Sequence, residues 1–284
     1  MSGLAYVNGT ITSIEEARVP VEDRGLQFGD SVYEVVHCER GRYFRLGPHL
    51  ERLARSLQAI ELAPPLPLGE IAAEAQRLLS VSGLSEGVLY IQITRGTAPR
   101  QHAFPREARP TLIMTLREAP PADAALAARG ARLITQPDLR WARCDIKTTA
   151  LLANVLAREQ AARAGADEAL LYRPEGTITE CTAANFFAVI DGVVRTHPAD
   201  NRILQGVTRA AVLELCRSLE IECREVALHL SDLAAAAEAF ITGTGIEILP
   251  VGQIDQEWRR APGPVTARLR QAYRELVQRE TGQR

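Results

Sequence analysis

The stretch CDIKTTALL, residues 144–152, contains the only lysine of the sequence, Lys147. Lysine and arginine together number 33, so the other 32 basic residues are arginine. Arginine replaces lysine readily on solvated surfaces, but it cannot lose its proton near neutral pH and attack a carbonyl group. A coding bias that spared one lysine would explain the pattern. The other explanation is covalent amine chemistry at this position.

Composition restricts the class of protein. The chain has 284 residues, of which 46% are hydrophobic and 24% charged, as in ordinary globular proteins with one or two domains. A net charge of −2 gives no electrostatic reason to expect binding to nucleic acid or to an anionic membrane. No signal peptide and no apolar stretch of the ~20 residues that span a bilayer is apparent. Five cysteines without a CxxC pair predict reduced thiols in the cytoplasm, and the scattered histidines predict no metal site.

The first 117 residues mix strand and helix signals. LAYVNGTIT predicts a hairpin around its Asn-Gly turn, and SVYEVVHCERGRYF predicts two strands that turn at Gly41. Helices are expected from near Pro48 and over residues 69–80. Because Pro120 and Pro121 interrupt regular structure, we predict an N-terminal α/β domain over 1–117, a linker over 118–123 and a larger domain over 124–284 that carries Lys147.

The second half also alternates between helix and strand signals. Helices are predicted over residues 149–164, 207–219, 231–239 and 264–280, with strands such as ARLITQ, REVAL and AFITGT between them. The fold class that this pattern predicts is α+β (mixed α/β), with two domains. Ligands of such proteins commonly bind in the cleft between the domains.

If Lys147 forms a Schiff base, pyridoxal phosphate is the expected cofactor, and it needs three further groups. Its phosphate needs backbone N–H donors, which a helix start at Gly206 and a turn around Thr244 would supply. Its pyridine nitrogen needs a carboxylate, and Glu180 stands alone in an uncharged β stretch. A substrate carboxylate needs cationic donors, and the loop TRGTAPRQHAFP carries Arg95, Arg100 and His102 with no acid to neutralise them. Each feature alone is also explained by an ordinary helix cap, turn, edge residue or solvated loop.

Taken together, these motifs resemble a known family. The sequence is similar to pyridoxal-phosphate transaminases of fold type IV, and most similar to the D-amino acid aminotransferases. The resemblance runs nearly end to end through the stretches EDRGLQFGDSVYEVV, TRGTAPRQHAFP, RWARCDIK, LLANVLA, TITE and THPADNRILQGVTR. The motifs RWARCDIK and QFGDSVYEVV are specific to this family, which favours the covalent explanation of Lys147.

The resemblance implies a role for each matching residue. Lys147 would form the Schiff base with pyridoxal 5'-phosphate and act as acid and base, and Glu180 would bind the pyridine nitrogen. Leu204 would pack on the cofactor ring. The carboxylate of the substrate would be bound by Tyr33, Arg100 and His102. The phosphate would be bound by a fourth group of residues, namely Arg52, Val207, Thr208 and Thr244.

The resemblance also implies an activity and a quaternary state. We expect the amino group of D-amino acids such as D-alanine to be transferred to 2-oxo acids such as 2-oxoglutarate. In such enzymes the Arg/His loop reaches the site of a neighbouring subunit, which implies a homodimer. Alternatives within the fold are branched-chain L-amino acid transaminases, aminodeoxychorismate lyases and (R)-amine transaminases. A non-catalytic cofactor-binding protein is the alternative from another class, and intact Lys147 and Glu180 argue against it.

Overall fold

The computed structural model describes residues 3–107, 109–120 and 123–282. Backbone contacts divide the chain into two units. The first contains the described residues up to Pro120, the segment Ile146–Ala150 and residues 279–282. The second contains residues 123–145 and Leu151–Gln278.

The assignment of Lys147 to the C-terminal domain was wrong. The segment Ile146–Ala150 belongs to the first unit because its backbone hydrogen bonds pair it with residues 31–33. Because of the same pairing, the helix predicted over 149–164 begins three residues later than expected, at Leu152. The linker over 118–123 stays a prediction, since residues 121 and 122 lie outside the described residues.

The first unit is built on a six-stranded antiparallel sheet with the strand order β2-β1-β6-β5-β3-β4. Its elements are β1 (Leu4–Val7), β2 (Thr10–Ser13), α1 (Arg24–Phe28), β3 (Ser31–Glu39), β4 (Arg42–Tyr43), α2 (Leu46–Ala59), α3 (Leu68–Ser82), β5 (Gly87–Thr94) and β6 (Thr111–Glu118).

Apolar periodicity explains this sheet and its helices. On β3, Val32, Val36 and Cys38 alternate inward, and α2 covers that face with leucines such as Leu53 and Leu57. The predicted hairpin at the start of the chain is confirmed as β1 and β2, and its Asn-Gly turn has positive φ angles of 45° and 99°. Both predicted helices and the two strands around Gly41 are confirmed as well.

The second unit is built on a ten-stranded mixed sheet with the order β12-β11-β10-β14-β15-β7-β8-β9-β13, and β16 pairs with β15. Its strands are β7 (Ala131–Pro137), β8 (Glu168–Tyr172), β9 (Thr177–Cys181), β10 (Asn185–Ile190), β11 (Val193–Thr196), β12 (Cys223–Glu225), β13 (Leu228–His229), β14 (Glu238–Gly243), β15 (Glu247–Ile254) and β16 (Trp258–Arg259). Its helices are α4 (Ala124–Arg129), α5 (Leu152–Arg163), α6 (Val207–Ser218), a 3-10 helix (Leu230–Ala235) and α7 (Pro264–Thr281).

The helix predicted over 231–239 was wrong. Its alanine-rich sequence has a high helix propensity, but only a 3-10 helix over Leu230–Ala235 forms. Ala236 is extended, the N–H of Ala237 donates to the carbonyl of Val189, and Glu238 begins β14 beside β10. Sheet pairing therefore overrides local propensity here. The predicted strand REVAL is likewise divided between β12 and β13.

Among the described residues, no helix combines the length and the apolar character needed to cross a membrane.

Candidate active site

The backbone around Lys147 is fixed as an additional edge of the first sheet. The N–H of Tyr33 donates to the carbonyl of Lys147 at 2.9 Å, and the N–H of Thr149 donates to the carbonyl of Ser31 at 3.2 Å. Val32 and Thr148 form an antiparallel bridge between these two bonds. The segment pairs with the start of β3 along the edge opposite β5. β4 pairs with that same edge only at the far end of β3. Lys147 is therefore held by regular strand pairing.

The side chain of Lys147 is directed over an aromatic ring. Its Nζ atom lies 4.2 Å from the centroid of the Tyr33 ring, and Tyr33 is stacked on Tyr90 at 5.5 Å. The N–H of Lys147 donates to the hydroxyl of Ser56 on α2 at 3.2 Å. Two of the predicted site residues, Lys147 and Tyr33, are thus in direct contact, and α2 lies beside them.

Arg52, the predicted phosphate ligand, is held one turn before Ser56 by a buried carboxylate. Its Nε and Nη2 atoms donate to the two oxygens of Glu34 at 2.8 and 2.7 Å, and His49 Nδ1 lies 2.7 Å from the same carboxylate. Glu34 is fully buried on β3. Burial alone would raise the pKa of Glu34, but the hydrogen bonds and charges of Arg52 and then His49 outweigh it and lower the pKa to about 2. Glu34 therefore remains ionised and orients Arg52.

We expect the variant Glu34→Gln to be less stable than the wild type at neutral pH by on the order of 3 kcal/mol, because Arg52 loses its buried partner. The pKa of Glu34 is lowered in the folded protein from 4.5 to about 2. Its contribution is therefore fully present above pH 4.5 and is lost as the pH falls through about 2. Urea unfolding of both proteins between pH 7 and pH 2 measures this difference, which should shrink as the pH falls.

The matched control for this experiment is Glu74→Gln. Glu74 pairs with Arg77 at 2.7 Å, but both side chains are partly exposed, so the expected change in stability is small at every pH. A stability loss in Glu34→Gln that stays constant from pH 7 to pH 2 would contradict the assignment of this carboxylate as the ionised partner of Arg52.

Arg100 and His102 lie together on an exposed loop. The guanidinium carbon of Arg100 lies 5.0 Å from the centroid of the Phe28 ring, and the His102 ring lies 5.5 Å from the same ring. Among the described residues of this chain, no hydrogen bond, ion pair or ring contact joins either of them to Tyr33 or Lys147. The structure thus groups Arg100 with His102 but leaves both apart from the third member of the predicted carboxylate site.

Glu180, in the second unit, lies at the centre of a buried network. Arg140 Nη1 donates to Glu180 Oε1 at 2.5 Å, Asn185 Nδ2 donates to Oε2 at 2.9 Å, and the N–H of Leu204 lies 3.1 and 3.2 Å from the two oxygens. Burial raises the pKa of Glu180, whereas the charge and hydrogen bond of Arg140 oppose that rise. All of these partners are donors, so the network accommodates the ionised carboxylate. Glu180 is a buried residue and not a solvated edge residue.

A close approach of Asn185 shapes the start of α6. A Cβ atom at Gly206 would lie 2.1 Å from Asn185 Oδ1, so this position requires glycine. Gly206 is the N-cap of α6 and has no side chain with which to cap this helix. Val207 and Thr208 therefore provide the first backbone N–H groups of a helix whose N-terminus favours an anion.

Thr244 follows β14 in a turn, close in sequence to the buried hydroxyl of Thr242. Thr242 Oγ1 forms no hydrogen bond among the described residues. Thr242 pairs with Asn185 across β14 and β10, and directly opposed residues of antiparallel strands project to the same face. Gly245 has open space around its Cβ position and an ordinary φ angle, so this backbone does not require glycine there.

In the first unit a lysine amine is held over an aromatic ring. In the second unit a buried carboxylate is held by hydrogen-bond donors. The family model for class IV aminotransferases matches residues 31–254. The chain belongs to this family and is an aminotransferase. The expected fold type IV is confirmed by the neighbours described below.

Curated relatives extend over almost the whole chain. The chain is 39% identical over 282 residues to the D-alanine aminotransferase of Listeria monocytogenes. This match covers 98% of this chain and 97% of that protein. It is 36% identical over 275 residues to the D-alanine aminotransferase of Staphylococcus epidermidis, with 96% and 97% covered.

Solved structures share the same architecture. The branched-chain amino acid aminotransferase from Escherichia coli matches with a TM-score of 0.89 and 26% identity, covering 100% of this chain and 97% of that one. The branched-chain aminotransferase from the archaeon Thermoproteus uzoniensis, solved with norvaline, matches with a TM-score of 0.89 and 27% identity, covering 99% and 97%.

Sequence reasoning missed the residues that hold the predicted ones. Arg140 and Asn185 bind Glu180, Glu34 binds Arg52, and His49 binds Glu34. One signal for Glu34 was present: it occupies an inward position of β3, where its neighbours on that face are apolar. Arg140 is the first residue of RWARCDIK, but nothing in the motif indicates its partner.

Proposed function

We propose that this aminotransferase uses pyridoxal 5'-phosphate to transfer the amino group of D-amino acids, such as D-alanine, to 2-oxo acids, such as 2-oxoglutarate. The observation that carries the proposal is the exposed pair of Arg100 and His102 on Phe28, which presents two donors for a carboxylate. It is supported by the D-alanine aminotransferases that are 36–39% identical over nearly the full chain.

The residues present fit the proposed cofactor. Its aldehyde would react with Lys147, and Glu180 would pair with its pyridine nitrogen while Leu204 packs on the ring. Its phosphate would be bound by Arg52, by the uncapped start of α6 at Val207 and Thr208, and by Thr244. The buried hydroxyl of Thr242, which has no partner among the described residues, supports a polar ligand at this end of β14.

Pyridoxal phosphate, when bound, supplies an electron sink for the bond electrons left on the α-carbon of the substrate. Lys147 Nζ removes the proton from this α-carbon and holds it for return, so the amine is the general base and the general acid. The ring of Tyr33, 4.2 Å from Nζ, limits the directions that the amine can take. Arg140 and Asn185 fix Glu180, so its charge is in place before the substrate arrives.

We further propose a homodimer in which Arg100 and His102 serve the site of a second copy. The support is that, among the described residues, these side chains contact Phe28 and neither Tyr33 nor Lys147 of their own chain. A sedimentation measurement of the purified protein tests the dimer. A location in the cytoplasm remains part of the proposal, and the five free cysteines agree with it.

Substrate selectivity tests the proposed function. We expect wild-type kcat/KM to be larger for D-alanine than for L-alanine, and the variant Arg100→Ala to lose about ten- to a hundredfold for D-alanine. The reason is that a charge-assisted contact to the carboxylate contributes about 1.5–3 kcal/mol. With (R)-1-phenylethylamine, which has no carboxylate, the same variant should lose much less.

Two alternative functions give different results in this experiment. When L-leucine and L-valine are included as donors, a branched-chain L-amino acid transaminase, related to the activity named for the structural neighbours, would prefer them to D-alanine. An (R)-amine transaminase would prefer (R)-1-phenylethylamine. Wild-type preference for L-alanine, or unchanged D-alanine turnover in Arg100→Ala, would refute the D-specific proposal.

A further inference from the structure

The loop that carries Arg100 and His102 is held at its tip by a buried arginine. Arg24, which is 3% exposed, lies on the short helix α1. Its Nη1 atom donates to the carbonyl of Gln101, and its Nη2 atom lies 3.3 Å from the carbonyl of His102. Nη1 also lies 3.4 Å from the carbonyl of Ala103. One guanidinium therefore binds three consecutive carbonyls of a segment without helix or strand structure.

A shared carboxylate fixes Arg24 itself. Asp30 Oδ2 accepts hydrogen bonds from Arg24 Nε and from Arg95 Nε, both at 2.8 Å. The loop itself contains no acidic residue, but Asp30 from outside the loop pairs with Arg95, which is only 6% exposed. Arg95 is therefore not available to a substrate. Its other nitrogens donate to the carbonyls of Ile60 and Glu61 at 2.6 and 3.2 Å.

The same pair of arginines also contacts the aromatic residues that border the loop. The guanidinium carbon of Arg24 lies 4.7 Å from the centroid of Phe28, the ring on which Arg100 and His102 rest. The guanidinium of Arg95 lies 3.7 Å from the centroid of the Phe104 ring. The loop is therefore fixed at its start, at its tip and just beyond the tip.

We infer that Arg24, held by Asp30, is a positioning residue that sets the orientation of Arg100 and His102 for binding of the substrate carboxylate. The inference rests on the proposed function, because it assigns these two side chains to the carboxylate. The physical basis is that the tip of the loop is exposed and has no strand pairing, so its backbone conformation depends on the donors supplied by Arg24. Arg24 acts through the loop and need not touch the substrate.

A double-mutant cycle separates positioning from a general contribution to folding. The variants are Arg24→Met, Arg100→Ala and the double variant, all as holoenzymes with D-alanine as donor. We expect Arg24→Met to lower kcat/KM by about tenfold in the wild-type background, mainly through KM, and by less than about twofold when Arg100 is already absent.

The matched control is Arg77→Met. Arg77 also donates to a carboxylate, that of Glu74, and to a backbone carbonyl, that of Gly9, but it lies apart from the loop on the exposed face of α3. Its effect on kcat/KM should be small and the same in both Arg100 backgrounds.

A second measurement does not depend on activity. Cleavage by trypsin after Arg100, in the exposed loop, should be faster in Arg24→Met than in wild type, with cleavage after other arginines unchanged. If Arg24→Met does not fold, Arg24→Lys, which keeps the charge but not the fork of donors, is used in both experiments with the same expectations.

Equal losses on Arg24→Met in both Arg100 backgrounds, or unchanged cleavage by trypsin after Arg100, would overturn the inference while leaving the proposed function intact. Failure of the proposed function has a different signature: wild type does not prefer D-alanine, or Arg100→Ala alone has no effect. That outcome removes this inference as well.

Discussion

Replacing Lys147 with arginine is expected to abolish amino transfer, with kcat lowered by at least about ten-thousandfold. Arginine retains the positive charge but does not deprotonate near neutral pH, so it supplies neither the covalent bond to the cofactor nor the base for the α-proton. The fold should persist, because the strand pairing with β3 uses only the backbone of this residue. Steady-state kinetics and circular dichroism of the variant measure both expectations.

The unique lysine makes the covalent part of this experiment unusually direct. After incubation with pyridoxal phosphate and reduction with borohydride, wild type should gain one cofactor mass, located by peptide mapping at Lys147. The variant Lys147→Arg should gain none there. A reduced adduct in the variant at any residue other than the N-terminal amine, or retained turnover, would show that the sole lysine is not the reactive amine.

Glu180→Gln is expected to slow removal of the α-proton by roughly a hundred- to a thousandfold, in the range seen when a fixed electrostatic partner of a reacting group is lost. In its proposed role Glu180 holds a proton on the pyridine nitrogen of the cofactor, which an uncharged amide would not do. Arg140 keeps its second partner, Asp138, with contacts of 3.0 and 2.9 Å, so the variant should still fold and bind cofactor. Stopped-flow absorbance during a single turnover with D-alanine gives the rate.

A neighbouring buried glutamate is the matched control for Glu180. Glu168 on β8 is 7% exposed and accepts hydrogen bonds from the N–H of Ala169 and the hydroxyl of Thr182. Its glutamine variant removes a buried charge from the same sheet without touching the Glu180 network, so its single-turnover rate should stay near that of wild type. Equal rates for Glu180→Gln and Glu168→Gln would contradict the role of Glu180.

The sequence alone identified candidate residues whose type is unusual for their surroundings. The structure adds the residues that hold other groups in place by hydrogen bonds. Lys147 could be recognised because it is unique, and Glu180 because it stands in an uncharged strand. Arg140, Glu34 and Arg24 are ordinary charged residues until their partners are known. Along the chain, Arg140 is separated from Glu180 by 40 residues, Glu34 from Arg52 by 18, and Arg24 from Gln101 by 77. Separations of this size leave no periodic signal.

Local patterns predicted elements well where one face or one turn decides the conformation. Helices α2, α3, α6 and α7 and the first hairpin agree with their apolar spacing or turn residues. The failures at residues 231–239 and at the start of α5 share one cause, since in both places backbone groups pair with a distant strand. Nothing in the local sequence encodes such a partner.

The pairing of residues 147–149 with the start of β3 also affects the order in which the nascent chain can fold. A ribosome releases residues 1–120, with all six strands of the first sheet, well before it releases the segment Ile146–Ala150. During that interval the N–H and C=O groups at the start of β3 are an open sheet edge, which is a template for wrong pairing. A fragment that ends at residue 120 retains this open edge permanently, and therefore should aggregate when it is expressed alone.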